Sequence, residues 1–212
     1  MRTTIAGITI PDSTLAAEAT QLVRDTTPDL LFHHSSRVFL FGSLQAEALG
    51  IAPDPELLYV AALFHDLGLV PQYQDMTQRF EIDGADHARD FLRRQGRGYA
   101  DALTVWTAIA LHTTPEVPYH LAPEIAATTA GVETDVLGLH LDRIPETHIH
   151  EVTAAHPRPD FKRQILSAFN DGFQHRPDTT FGTVNADVLE YFDSGFRHVD
   201  FVDVITNSAW AD

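Results

Sequence analysis

An apolar run that ends in two polar residues constrains the fold of this chain most strongly. Residues 56–68 read ELLYVAALFHDLG, an apolar helical run that Pro55 opens and Gly68 can stop. Its last two polar residues are His65 and Asp66. Burying an imidazole and a carboxylate without partners costs free energy, so such a pair indicates that something binds them. A metal ion is a common ligand of this kind, and the sequence predicts that further His and Asp residues complete the site.

Length and pattern together predict one all-α domain. The 212 residues suffice to bury a full core, and no stretch alternates long enough to require a sheet. We expect a single domain over 1–212, with its core at about 28–175, an extended lead-in at 1–12 and a C-terminal helical extension at about 176–212. Start and stop signals predict roughly seven to nine helices in a bundle. They fall at about 13–24, 28–49, 55–65, 86–94, 100–112, 123–139, 161–173 and 186–191, with a polar loop at 69–83.

Composition excludes several classes of function. The chain has 14 Lys and Arg against 30 Asp and Glu, a formal net charge of −16, which argues against nucleic acid or an anionic membrane surface as partner. It has no cysteine, so disulfides and thiolate metal ligands are absent. A run of about 18 apolar residues and a basic-then-apolar leader are both missing. We expect a cytoplasmic protein with a small-molecule substrate, and the sequence leaves homo-oligomer formation open.

Two residues outside the pair also face inward on predicted helices. His34 shares a helix face with Leu31 and Val38, and Asp135 shares one with Leu139, beside the small Gly131. The candidate metal ligands are therefore His34, His65, Asp66 and Asp135. Two imidazoles with two carboxylates suit Fe, Mn, Zn, Co or Ni better than Ca or Mg. Four protein ligands leave room for a water molecule whose pKa the metal lowers.

Three more residues are candidates for the same site. His87 and His112 lie on apolar helix faces and could bind a second metal, with Asp66 as the bridge, or bind substrate; each could equally be a hydrogen-bonded core histidine. For catalysis, Asp66 or His112 could take up a proton. Lys162 could hold a substrate, although a lysine on a late helix is more often solvated.

Several motifs in order resemble a known superfamily. They comprise His34 within HHSSR, the segment ALFHDLGL, the segment FEIDGA, the segment AIALHT, Asp135 within GVETDVLG, and Pro157-Arg158 followed by Phe161-Lys162. This order is similar to the HD-domain superfamily of metal-dependent hydrolases, and the flanking residues resemble its cyanamide-hydratase-like branch, over about residues 30–165. The resemblance implies an all-α fold and a divalent metal on His34, His65, Asp66 and Asp135. For cyanamide hydratases it implies hydration of a carbon–nitrogen triple bond to give urea.

The resemblance leaves competing functions. The spacing of His87 and His112 is similar to that of dinuclear members, which include HD-type diiron oxygenases and some phosphodiesterases. A phosphohydrolase acting on a nucleotide or phosphoester would need a basic pocket, and the sequence does not show that its arginines converge. A regulatory protein without activity is disfavoured, because the ligand set is complete.

Overall fold

Ten α-helices and one short hairpin make up the fold of the computed structural model, which describes residues 3–210. The strands β1 (Thr4–Ile5) and β2 (Ile8–Thr9) pair antiparallel. The helices are α1 (Thr14–Thr26), α2 (Asp29–Leu49), α3 (Pro55–Phe64), α4 (Phe80–Arg94), α5 (Tyr99–Leu111), α6 (Pro123–Val132), α7 (Glu146–Ala155), α8 (Phe161–Phe173), α9 (Asn185–Phe192) and α10 (Phe201–Thr206). Between α6 and α7 the chain continues as a π-helical turn, Glu133–Leu137.

Local chemistry sets the bounds of the helices that carry the site. Asp54 caps α3 by accepting hydrogen bonds from the backbone N–H groups of Glu56 and Leu57, and Pro55 occupies the first position of the helix. Gly50 ends α2 in the left-handed conformation, with φ of 67°. Every residue of α3 from Leu57 to Phe64 is buried, so this helix lies in the centre of the bundle and delivers His65 to its interior.

Helices α2 and α6 touch through their backbones. A Cβ atom on Gly42 would lie 2.5 Å from the carbonyl oxygen of Ala127, and one on Gly131 would overlap the carbonyl oxygen of Val38. Glycine is therefore required at both positions for this packing. The contact fixes the separation of the two helices that carry His34 and, just after α6, Asp135.

The C-terminal region packs against the bundle through a second, smaller apolar cluster. This cluster brings Phe161, Ile165 and Phe173 of α8 and Leu189 of α9 against Phe80 of α4. Arg176, which follows α8, is buried and forms an ion pair with Asp83. It also donates to the carbonyl oxygens of Gly68, at 2.7 Å, and Asp75, at 2.8 Å. One side chain thus ties the region after α8 to the segment that follows the His-Asp pair.

The predicted all-α fold class is confirmed, with local differences. A hairpin forms inside the segment predicted as an extended lead-in. Helix α4 begins at Phe80 rather than near residue 86, so the end of the predicted 69–83 loop is helical. The loop prediction followed the polar residues there, but Glu81 and Asp83 are buried with hydrogen-bonding partners. Within residues 3–210, no helix has the length and hydropathy needed to cross a membrane.

Candidate metal centre

Three of the predicted ligands meet at the centre of the bundle. His34 lies in the second turn of α2, His65 follows the last residue of α3, and Asp66 comes next. The Nε2 atoms of the two histidines are 3.1 Å apart, and Oδ2 of Asp66 lies 3.5 Å from His34 Nε2 and 3.3 Å from His65 Nε2. All three residues are at most 2% exposed. One ligand atom from each residue lies within 4.8 Å of the others, close enough for one ion.

Hydrogen bonds at the far side of each ring define which histidine nitrogen faces the centre. His65 Nδ1 lies 2.7 Å from the carbonyl oxygen of Ala62, which can only accept a hydrogen bond, so Nδ1 carries the proton. His34 Nδ1 donates to Asp135 Oδ2 at 2.7 Å. In the neutral rings both Nε2 atoms then present lone pairs to each other. A cation between them resolves this contact, and the second-nitrogen hydrogen bonds are those that orient metal-bound histidines.

Asp66 provides a second observation in favour of a metal. Neither of its carboxylate oxygens has a hydrogen-bond donor, although both are buried. Burial alone would raise the pKa of this carboxyl, but the neighbouring His65 and His34 hold it well below its usual range. Burial likewise lowers the pKa of His65, and the Asp66 carboxylate outweighs this and raises it. A buried anion without donors, facing two imidazole nitrogens, fits a divalent metal in chemistry and in charge.

Asp135 lies on the other side of His34. Its Oδ1 accepts from Arg37 Nε at 2.7 Å, and its Oδ2 accepts from Arg37 Nη2 at 2.9 Å as well as from His34. Arg158 adds an ion pair at 3.1 Å. The structure thus brings Asp135 to the site as the carboxylate that orients His34. Its predicted role as a fourth ligand stays a prediction.

His112 lies beside the three central residues. It follows α5, its Nδ1 donates to the carbonyl oxygen of Ile109 at 2.6 Å, and its Nε2 is 3.8 Å from Asp66 Oδ1. Burial and the neighbouring His65 lower its pKa to about 4. The ring is therefore neutral at pH 7, with a free lone pair on Nε2 directed to the same centre.

The structure does not bring His87 or Lys162 to this centre. His87 packs edge-on against Tyr73, with ring centroids 4.8 Å apart, and it is not among the described residues that line the site. Lys162 is exposed on the first turn of α8. Their predicted roles in a second metal or in substrate binding stay predictions without support from the geometry.

A cavity of about 270 Å³ opens above the metal centre. His34, His65, Asp66 and His112 form its floor. Most of the remaining lining is apolar and comes from the end of α6, the π-helical turn, α8, and α9 with the residue that precedes it. These lining residues are Val132, Val136, Leu137, Leu166, Phe169, Val184 and Val188.

Sequence reasoning missed the contribution of α8 and α9 to this cavity. Asn185 lines it and donates to Glu81 Oε1 at 3.2 Å. Glu81 also accepts from Arg79 at 2.8 Å and from Thr113, next to His112, at 2.6 Å. A sequence signal for this contribution did exist. Apolar residues recur every four positions on one helix face, at Phe161, Ile165, Phe169 and Phe173, which indicates that this face points inward.

The fold and the site together define a class of protein, an all-helical bundle with a buried His/His/Asp group that could hold a metal ion. The family model of the HD domain matches residues 31–150, more than half of the chain. The chain therefore belongs to the HD-domain family. HD domains are in general metal-dependent hydrolases that bind divalent metals, in agreement with the His34, His65 and Asp66 group. A comparison with curated proteins gives no match, so the cyanamide-hydratase-like branch rests on the motifs alone.

Proposed function

We propose that this protein is a metal-dependent hydratase of small, neutral, nitrile-type substrates. The observation that carries the proposal is the Asp66 carboxylate, buried without donors and facing the Nε2 atoms of His34, His65 and His112 at the floor of a cavity. Such a floor favours chemistry in which water is activated next to a neutral imidazole.

His34, His65 and Asp66 would hold one divalent transition metal, Zn, Fe, Mn, Co or Ni. When bound, the metal supplies a coordinated water molecule of lowered pKa and polarises the substrate. Asp135 and Arg37 keep the His34 ring in its orientation, and Ala62 does the same for His65.

His112 is placed to move a proton during the reaction. Its neutral Nε2 accepts a proton from the attacking water, while Nδ1 stays bonded to Ile109. The water oxygen forms a bond to the nitrile carbon, one π bond of C≡N breaks, and His112 returns the proton to nitrogen. Tautomerisation then gives the carboxamide, so that R–C≡N and H2O yield R–CO–NH2; cyanamide would yield urea.

The charges around the cavity argue against the phosphohydrolase alternative. The side chains that line it include the acidic Asp66 and Glu133, and no Arg or Lys is among the described lining residues. The nearby Arg37 and Arg158 pair with Asp135, and Arg79 pairs with Glu81. A phosphate would find no arginine or lysine partner beside the metal among the described lining residues, and it would lie next to the acidic Glu133. The position of His87 similarly gives no support to a dinuclear oxygenase.

A paired assay tests the proposal. Metal-loaded protein is incubated with cyanamide and with short aliphatic nitriles, and the amide or urea formed is measured; the same protein is incubated with a panel of nucleotides and phosphoesters, and phosphate is measured. We expect amide or urea without phosphate, lost in His65→Ala and retained in His87→Ala. Phosphate release that depends on His65, or an unchanged His65→Ala variant, would overturn the proposal.

A further inference from the structure

We infer that α8 and α9 form an apolar wall that selects the substrate, and that the substrate carries an apolar body of several carbon atoms. The inference rests on the proposed function, because it concerns the same cavity. It goes beyond that function in excluding cyanamide itself as the preferred substrate and in assigning specificity to α8 and α9.

The wall opposite the metal centre is made of half-buried apolar side chains. Leu166 and Phe169 of α8 and Val188 of α9 are neither fully covered by the protein nor fully exposed, and all three line the cavity. Val136 of the π-helical turn completes the wall. Apolar surface of this kind gains free energy when a ligand displaces water from it.

The size of the cavity exceeds what the smallest nitrile requires. Its volume of about 270 Å³ holds roughly nine water-sized groups. Cyanamide has a single carbon and two nitrogens, so it would leave most of the wall in contact with water. The volume is below the range of drug-sized sites, about 300–1,000 Å³, so a large substrate is also disfavoured. A short alkyl or aryl chain fits between these limits.

The wall is joined to the catalytic floor through aromatic contacts. The Phe169 ring lies 6.1 Å from that of Phe80, and Phe80 packs edge-on against His112 at 5.6 Å. Phe169 also stacks on Phe173 at 6.4 Å. The apolar wall therefore has a fixed position relative to His112, so a substrate held against it presents a defined atom to the floor.

The distribution of polar groups sets the orientation of such a substrate. The floor carries the three histidines and Asp66, and Thr113, Thr114, Glu133 and Asn185 add polar groups elsewhere in the lining, whereas α8 contributes only Leu166 and Phe169. A molecule with one polar end and one apolar end matches this division. A charged or evenly polar molecule would leave one of the two surfaces unsatisfied.

A homologous series of ligands tests the inference. Affinities of metal-loaded protein are measured by calorimetry for primary carboxamides, the products of the proposed reaction, and separately for primary alcohols, which bear no relation to nitrile chemistry. We expect both series to tighten by about fourfold for each added methylene until the cavity is filled. For nitriles, kcat/KM should rise along the same series and exceed that of cyanamide.

Variants of the wall test whether its side chains cause the dependence of affinity on ligand chain length. Phe169→Ala should weaken the longer ligands by roughly tenfold and leave the shortest nearly unchanged. Val188→Thr, which keeps the shape but adds a hydroxyl, should act in the same direction without removing volume. The matched control is Phe192→Ala, an exposed aromatic on α9 outside the cavity lining. Metal content, measured in each variant, shows whether the floor is intact.

The outcomes separate this inference from the proposed function. If affinity rises with chain length in both series but no nitrile is hydrated, the apolar wall stands and the reaction is wrong. If cyanamide is hydrated while longer ligands bind no better than short ones, the wall is wrong and the reaction stands. Unchanged chain-length dependence in both Phe169→Ala and Val188→Thr would also overturn the inference.

Discussion

The floor and the wall of the cavity are built in different ways. On the floor side, α2 and α6 touch backbone to backbone at Gly42 and Gly131, and a buried Arg37–Asp135 pair fixes the orientation of His34. On the wall side, α8 and α9 present half-buried apolar side chains to the cavity, and they attach to the bundle through the smaller apolar cluster around Phe80 and the hydrogen bond of Asn185 to Glu81. The comparison separates two roles: we expect the floor to determine which reaction is feasible and the wall to determine which molecule reaches it.

The largest expected effect is the loss of the metal from the floor, caused by a substitution that leaves the wall unchanged. Asp66→Asn takes away the buried anion that faces both histidines, so metal content should fall from about one ion per chain to almost none, and activity with it. Elemental analysis and the amide assay measure this. Asp90→Asn, on the exposed side of α4, is the control and should keep the metal. A fully metallated Asp66→Asn protein would contradict the floor as described.

A second prediction concerns the ion pair behind the floor. Arg37→Met leaves Asp135 without its bidentate partner, and the carbonyl oxygens of His156 and Pro157 lose donors as well. The free energy of unfolding should fall by about 3 kcal/mol, the lower end of the range for breaking a buried ion pair, because Asp135 keeps Arg158 and His34 as partners. Denaturant titration measures it. In the control, Arg163→Met breaks an exposed pair with Asp160 and should change stability by less than about 0.5 kcal/mol. Equal losses would contradict the distinction.

The hydrogen bond between Asn185 of α9 and Glu81 of α4 should contribute less to stability than the Arg37–Asp135 ion pair. Asn185→Ala removes a hydrogen bond to Glu81, while Arg79 and Thr113 still donate to that carboxylate. We expect a loss of about 1 kcal/mol in unfolding free energy and unchanged metal content. The exposed Asn207→Ala serves as the reference. Loss of the metal in Asn185→Ala would show that wall and floor are one unit.

The smallest predicted effect is a loss of stability at acidic pH, caused by the buried His156 on the floor side. Burial lowers the pKa of His156 to about 4, helped by the neighbouring His33, whose Nδ1 is 3.2 Å from its own. The folded chain therefore binds fewer protons than the unfolded chain between pH 6.5 and 4, so stability is full above pH 6.5 and falls as the pH drops through that window.

Thermal melts at a series of pH values check this response. The Tm should fall by roughly 2–4 °C more in the native protein than in His156→Phe between pH 7 and 5. His175→Phe replaces an exposed histidine after α8 and should keep the native pH response. Because His112 also has a lowered pKa, part of the slope should remain in His156→Phe; a fall in Tm as large as that of the native protein would contradict the contribution of His156.

The sequence predicted the fold class and the members of the floor better than their arrangement. The apolar run before His65 and the motif order were sufficient to expect a helical bundle with His34, His65 and Asp66 at its centre. Whether Asp135 reaches the ion or orients His34 depends on the competing Arg37, on the same helix as His34. Helical periodicity places residues on faces, but it does not decide which of two neighbours a carboxylate contacts.

The wall could not be predicted in the same way. The spacing of Phe161, Ile165 and Phe169 shows that α8 has an apolar face, but the identity of its partner depends on contacts between distant segments. Arg176 shows this most clearly, since it reaches Asp83 and Gly68, about a hundred positions earlier in the chain. The prediction of a polar loop at 69–83 was wrong for its last residues. Asp83 is paired with the remote Arg176, and Glu81 is paired with the nearby Arg79 and accepts from the remote Thr113 and Asn185.

The paired glycines of α2 and α6 have a consequence for how this protein can vary. With no side-chain layer between the helices, any larger residue at Gly42 or Gly131 must push the two apart, and His34 and Asp135 move with them. The position of His34 relative to Asp135, the carboxylate that orients it, is thus determined by main-chain contact rather than by exchangeable side chains. New specificities can arise by substitution along α8 and α9, whereas a change in the dimensions of the centre would require both helices to be rebuilt at once.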